Sequence, residues 1–206
     1  MNPAAMTIQA RPFVTLSLVF ALPLAVAACG PGGDAAEAPP LAGAAIGGDF
    51  ALVDKTGKTV RWSDFAGRYR IVYFGYTFCP DACPTDVGIT IRGLNQFTRE
   101  HPALGGQVVP LFITIDPARD TPQAVGQFAA AFSPRLIGLT GTPQAIDRTA
   151  KAFAVYYHRG KGTAGGYLMD HSRVVYLMGR NGEPIDMLPA DKGPQAVADT
   201  LAKWVK

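Results

Sequence analysis

Cys79 and Cys83 stand four residues apart in Thr77-Phe-Cys79-Pro-Asp-Ala-Cys83-Pro84, a segment that follows an apolar run and leads into a helical pattern. Pro84 disfavours helical geometry at the residue before it, which predicts both thiols at or before the helix cap. Unpaired backbone N–H groups and the positive end of the helix dipole favour thiolate there. A thiolate is both the nucleophile of disulfide exchange and a soft metal donor. A structural disulfide also suits an exported protein, although a bridge across four residues closes too small a loop for much entropic stabilisation. The spacing is one residue longer than the C-x-x-C of thioredoxin-like redox proteins. A peroxidatic site fits poorly, because Thr77 precedes Cys79 by two residues and no upstream proline accompanies it.

Of the three histidines, His171 is the one expected to face the cysteines. It lies in Asp170-His171-Ser172, just before a β-branched run, where thioredoxins carry a cis-proline. His101 ends a polar helix and His158 adjoins Arg159-Gly160-Lys161, so both read as solvated. Two thiolates and one imidazole fall short of the four ligands of a closed zinc site. They suit copper, since thiolates select Cu(I) and imidazole suits Cu(II). Asp170 is placed to orient the imidazole or to lie near the metal.

The elements that must position these groups follow from periodicity. Residues 50–53 and 59–62 flank a turn containing Gly57 and predict an N-terminal hairpin. Residues 70–76 are β-branched and aromatic with little alternation, the pattern of a strand covered on both faces. Val87, Ile91 and Leu94 mark one helical face after Pro84. A second strand over 108–115 runs into Asp116-Pro-Ala-Arg119-Asp120-Thr121-Pro122, where the next helix begins with capping by Asp120 or Thr121. A strand at 136–139, a helix at about 142–153, a hairpin over 173–188 and a helix at about 194–205 complete the chain. Strands alternating with helices, then a hairpin and one more helix, predict an α/β, thioredoxin-like fold: a central mixed sheet flanked by helices, with the N-terminal hairpin as an extension. Sites in open α/β sheets gather beyond the C-terminal strand ends, which places the cysteine segment and Asp116 together.

The chain has 206 residues, 48% hydrophobic and 17% charged, with 11 Phe and 7 Tyr, enough to form a core. Its formal charge of +3 is spread along the chain and lacks the basic stripe of a nucleic-acid binder. Residues 1–28 carry one charge, Arg11, and end in a sixteen-residue apolar run broken by Pro23. That run is shorter than the roughly 20 residues of a membrane span, so it reads as a signal peptide. It closes on Val26-Ala27-Ala28-Cys29, similar to a bacterial lipobox, which makes Cys29 the expected lipid attachment point. Residues 29–48, rich in Gly, Ala and Pro, read as a flexible tether, and residues 49–206 as the folded domain.

Together, Cys79-Pro-Asp-Ala-Cys83-Pro, Asp116-Pro-Ala-Arg119-Asp120-Thr-Pro and Asp170-His171-Ser172 resemble the three signatures of the Sco/SenC family, in order and over the whole domain. The resemblance implies a thioredoxin-fold copper protein that is tethered to a membrane and helps assemble the Cu(A) centre of cytochrome c oxidase. It implies copper ligation by Cys79, Cys83 and His171, with Asp116 and Arg119 near the site as partner-facing or structural residues. The expected function is therefore a copper metallochaperone that takes copper from a periplasmic donor to the Cu(A)-bearing oxidase subunit. It would sit in the bacterial cell envelope, lipid-anchored and facing the periplasm. The alternative is a thiol-disulfide oxidoreductase that uses Cys79 and Cys83 as a redox pair to keep the target cysteines reduced.

Overall fold

In the computed structural model, residues 37–163 and 166–206 are described, together with Thr7, Gln9 and Ala10. The apolar run, the cleavage point and Cys29 lie outside the described residues. The sheet is built on two strands that are buried along their whole length. These are β3 (Tyr69–Gly75) and β4 (Val108–Thr114), the elements preceding them being the hairpin strands β1 (Ala51–Val53) and β2 (Thr59–Arg61). Val72, Phe74, Phe112 and Ile113 are completely buried, and each such side chain contributes about 1.5–3 kcal/mol relative to exposure. Helices cover both faces, which explains why these strands lack polar alternation.

The remaining elements are α1 (Ala82–Glu100), α2 (Pro102–Gly105), α3 (Pro122–Phe132), β5 (Ile137–Leu139) and α4 (Pro143–Ala152). They are followed by β6 (Tyr157–Thr163), β7 (Gly166–His171), β8 (Val175–Met178), β9 (Pro184–Met187) and α5 (Pro194–Trp204). The main sheet runs β5-β4-β3-β8-β9. Its first three strands are parallel, while β8 pairs antiparallel with β3 and β9 with β8. This is the expected thioredoxin-like mixed sheet, and the parallel strands deliver their C-terminal ends to one edge. Thr121 and Thr142 cap α3 and α4 by accepting the amides of Ala124 and Ala145, each at 3.2 Å, with a proline following each cap. Thr121, not Asp120, is therefore the cap of α3.

Three boundaries differ from the sequence reading. First, α1 begins at Ala82, so Cys83 and Pro84 lie inside its first turn. The first helical amides have no intrahelical partner, so proline is tolerated there without losing a hydrogen bond. Second, β6 and β7 form a two-stranded sheet of their own in a segment too rich in glycine and charge to read as strand. His171 ends β7, and His158 lies on β6. Third, the stretch expected as a free tether is already part of the domain from residue 38, where a single compact unit begins. The Leu41 amide donates to the Ile185 carbonyl at 3.0 Å and the Gly47 amide to that of Ala152 at 2.8 Å. Leu41 thus covers part of the edge strand β9, whose backbone groups would otherwise be open.

Candidate metal centre

β3 ends at Gly75, and the chain turns through Tyr76, Thr77 and Phe78 to reach Cys79. The Cys83 thiol, completely buried, sits directly above this strand end. A Cβ at Gly75 would lie 3.1 Å from Cys83 Sγ, 2.9 Å from the Tyr73 ring and 3.0 Å from the Phe112 ring. Glycine is required there because the thiol occupies the space a side chain would take. The N-cap residue of α1, Asp81, makes no side-chain cap. Instead the amide of Cys83 donates to Cys79 Sγ at 3.2 Å, so a sulfur serves as hydrogen-bond acceptor at the helix N-terminus.

His171 enters from the other side. Its Nε2 lies 3.4 Å from Cys83 Sγ, and its Nδ1 lies 3.0 Å from the Ser172 carbonyl. A carbonyl only accepts, so Nδ1 carries the hydrogen and the Nε2 lone pair faces the thiol. The imidazole stands edge-on to Tyr73 and Tyr76, with ring centres 6.2 and 6.1 Å away. Below the site the Tyr73 hydroxyl donates to buried Asp86 at 3.1 Å. Arg173, two residues beyond His171, grips the same carboxylate through two nitrogens at 3.0 and 2.7 Å.

These contacts divide the protons unequally. The Cys83 thiol donating to Cys79, together with the amides of Cys83 and Asp81, holds Cys79 well below the ordinary thiol range despite partial burial. Its hydrogen bond to Cys79, together with burial, drives Cys83 the other way. Burial also pushes the Tyr73 hydroxyl up, reinforced by Cys83 and Asp86, so it remains a neutral donor. The pair therefore holds one proton, on Cys83, and presents a half-buried thiolate at Cys79. Neither cysteine is in a disulfide.

Among the described residues, no three or more His, Cys, Asp and Glu side chains are already arranged around a common metal position. The three donors are nevertheless adjacent. With bond lengths of about 2.3 Å to sulfur and 2.0 Å to nitrogen, a trigonal ion separates these donors by about 3.7 Å. The observed 3.4 Å between Cys83 Sγ and Nε2 is within a few tenths of an ångström of that value. A cleft of about 320 Å³, lined by Tyr76, Cys79, Pro80, Leu168, His171 and Arg173, gives access.

The other expected residues take different places. Asp170 is exposed and pairs with His158 at 3.1 Å, while the Ser172 carbonyl orients the imidazole. His158, expected to be solvated, is half exposed, with Nε2 on the Asp170 carboxylate. Asp116 is buried. It accepts the Tyr167 hydroxyl at 2.8 Å and is bound by Arg119 Nε. The Arg119 guanidinium lies 3.7 Å from the Tyr167 ring centre and 4.8 Å from that of Phe78. Asp120, completely buried, accepts the amide and hydroxyl of Thr77 at 3.0 and 2.6 Å and the hydroxyl of Thr114 at 2.6 Å. Burial pushes its carboxyl up, against the pull of these donors. Gly75, Tyr73, Asp86, Tyr167 and Arg173 escaped the sequence reading. Asp86 gave no signal either: one residue before Val87, it stands about 100° around α1 from the stripe that Val87, Ile91 and Leu94 mark.

The SCO1/SenC family profile matches residues 38–206. The mitochondrial SCO1 homolog of Homo sapiens is 37% identical over 162 residues, covering 78% of this chain and 53% of that protein. SenC of Rhodobacter capsulatus is 39% identical over 160 residues, covering 78% and 71%. This chain thus spans about half the length of the human relative. The crystal structure of Arabidopsis thaliana ScoI with copper bound superimposes with a TM-score of 0.72 at 35% identity, over 77% of this chain and 96% of that one. A thioredoxin-like scaffold with its cysteine segment, its aspartate loop and its histidine at one sheet edge, matched along residues 38–206, makes this chain a member of the SCO1/SenC family.

Proposed function

We propose that this chain binds copper as cargo through Cys79, Cys83 and His171 and delivers it to the Cu(A)-bearing subunit of cytochrome c oxidase during assembly. The observation that carries this reading is the Nε2 lone pair of His171 lying 3.4 Å from the buried Cys83 sulfur, with Cys79 and His171 both lining one cleft. This donor set suits a soft three-coordinate ion. The copper-bound ScoI relative supports the metal, and the oxidase is what membership of the SCO1/SenC family implies. Binding a metal displaces the proton held on Cys83, so loading is coupled to proton release. Release to a partner then proceeds by ligand exchange. An incoming thiolate reaches the half-exposed Cys79 side first, because Cys83 is buried. No helix among the described residues is long and apolar enough to cross a membrane. The signal-like run ending at Cys29 supports export and lipid anchoring in the bacterial envelope, with the domain facing the periplasm.

Anaerobic titration of the reduced protein with Cu(I) and Cu(II) tests the reading. One tightly bound copper per chain is expected, and His171→Ala should abolish tight binding while leaving the Cys79–Cys83 disulfide able to form. Absence of stoichiometric copper overturns it. Full-affinity, three-coordinate copper in His171→Ala removes the ligand assignment.

The low-lying thiolate at Cys79 favours a second reading, a two-electron thiol reductant. Cys79 attacks a target disulfide, releasing one target thiolate and forming a mixed disulfide. Cys83 then attacks Cys79 Sγ, giving up its proton and releasing the second target thiol, so the target gains the two electrons that the pair loses. Normal oxidase assembly with His171→Ala, but not with Cys79→Ser, would favour it.

A further inference from the structure

His171 rides on a hairpin that the main sheet does not hold. β6 and β7 pair only with each other, and a two-stranded hairpin is at best marginally stable in water. At its base the chain is secured just beyond His171. The Ser172 amide donates to the Tyr156 carbonyl at 2.9 Å, the Tyr156 amide to the Ser172 hydroxyl at 3.1 Å, and Arg173 grips Asp86. Between this base and Tyr167, Met169 packs partly against the core and its backbone hydrogen-bonds Tyr76.

The opposing tie is at Tyr167, four residues before His171. Its hydroxyl donates to Asp116 Oδ1 at 2.8 Å, and its ring lies 3.7 Å from the Arg119 guanidinium and 3.8 Å from that of Arg159 on β6. This cradle is fixed in advance. Asp116 is 3% exposed, its amide donates to the Thr114 hydroxyl at 2.9 Å, and its second oxygen is taken by Arg119. The same short loop, Asp116–Asp120, also holds the cysteine side, because Asp120 binds Thr77 two residues before Cys79. One rigid loop therefore touches both halves of the centre.

We infer that the Asp116–Asp120 loop gauges the separation of the imidazole from the thiols, with Tyr167 as the positioning residue that sets His171 against Cys83. The consequence for copper rests on the function proposed above, whereas the placement of the ring does not.

The test uses the full reduced chain with Tyr167→Phe, which keeps the ring between the arginines and loses only the hydroxyl, and Tyr167→Leu, which loses both. Without metal, NMR contacts from the His171 ring to the Tyr73 and Tyr76 rings should weaken in Tyr167→Leu and less so in Tyr167→Phe. Contacts between Tyr73 and Phe112 inside the sheet should persist. Unchanged His171 contacts in Tyr167→Leu overturn the inference. With Cu(I), Tyr167→Leu should weaken binding by about tenfold or more, as loss of an outer partner of a ligating histidine typically does. In a His171→Ala background the same change should cost nothing, whereas an equal loss in both backgrounds would mark Tyr167 as merely structural and sink the proposal. Failure of the wild-type chain to bind copper defeats the function instead, and the metal-free contacts still decide the gauge.

Discussion

Cys83 sits against the end of a strand whose seven residues are all buried, whereas His171 ends a strand whose residues alternate between exposed and half-buried. The thiol is surrounded by Gly75, Tyr73 and Phe112, and it moves only if the core moves. The imidazole is carried by a separate hairpin, tied at Ser172 and Tyr167 and resting on the core only in part, through Met169 and Tyr157. Interiors are close-packed and resist displacement, whereas regions with few buried contacts open at low cost. A centre built this way keeps the Cys83 sulfur fixed and leaves the His171 nitrogen more adjustable, a division that would suit the proposed gripping and release of an ion.

The hardest test of the fixed half is Gly75→Ala. The added methyl would meet three neighbours at 2.9 to 3.1 Å, one of them Cys83 Sγ. Overpacking of this kind costs about 1–3 kcal/mol. Chemical denaturation should show that loss, and the variant should bind copper poorly even where it is folded. Wild-type stability and affinity in Gly75→Ala would mean that the strand end yields, and that the contrast between the halves is wrong.

Next in size is Arg173→Ala, at the junction between the halves. It strips Asp86, 5% exposed at its side chain, of its cation and leaves only the Tyr73 hydroxyl as its partner. A wholly buried pair would cost about 3–5 kcal/mol to break. The Arg173 side chain is 55% exposed, so screening lowers the expectation to about 1–2 kcal/mol. Asp86→Asn should cost less than Arg173→Ala, because it removes the stranded charge as well as the pair. The reverse order, read from urea unfolding of the two variants, would show that Asp86 matters for something other than Arg173.

The same division explains what could be read from the sequence. β3 and β4 announce themselves as apolar runs because burial on both faces demands it. Thr121-Pro122 and Thr142-Pro143 carry their caps in the residue types themselves. The three side chains proposed as donors stand out because few side chains bind soft metals, and Cys79 and Cys83 follow one strand while His171 ends another. The hairpin of β6 and β7 was not legible. It is held partly by Tyr167 meeting Asp116, fifty-one residues away in sequence, and composition carries no trace of such a contact. Residues 38–48 escaped for a related reason, since Leu41 and Gly47 are docked through backbone amides that every sequence possesses. Cys83 lies within α1 because the geometry that proline disfavours at its predecessor is still permitted in the first turn.

The cysteine pair supplies a test by pH. Cys79 is held below its unfolded pKa, so the unfolded chain binds the extra proton. Its contribution to stability is present above the ordinary thiol pKa of about 8.5 and fades as pH falls toward the lowered folded value. Cys83 is raised, so its contribution has the opposite sign and falls as pH climbs above the ordinary thiol value. The two titrate as a coupled pair. Alkylation of the reduced, metal-free protein should therefore modify Cys79 at pH values well below 8.5 and spare Cys83, with peptide mapping to assign the sites. Equal modification of both would show that the buried half is more open than its packing indicates.

The smallest effect is expected on the adjustable half, at Asp170→Asn. Asp170 and His158 lie 3.1 Å apart across β6 and β7, but their side chains are 64% and 48% exposed. Water competes for both groups, and exposed pairs are typically worth about 0.2–1 kcal/mol before salt screens them. The hairpin also adds little to the cooperative core, so much of even that small term should not register in global unfolding. Asp170→Asn should shift the unfolding free energy by less than about 0.5 kcal/mol, with the difference shrinking further at 1 M salt. A loss of Arg173→Ala size would mean that the hairpin unfolds together with the main sheet. His171 would then be as firmly held as Cys83, and the centre would have no adjustable half.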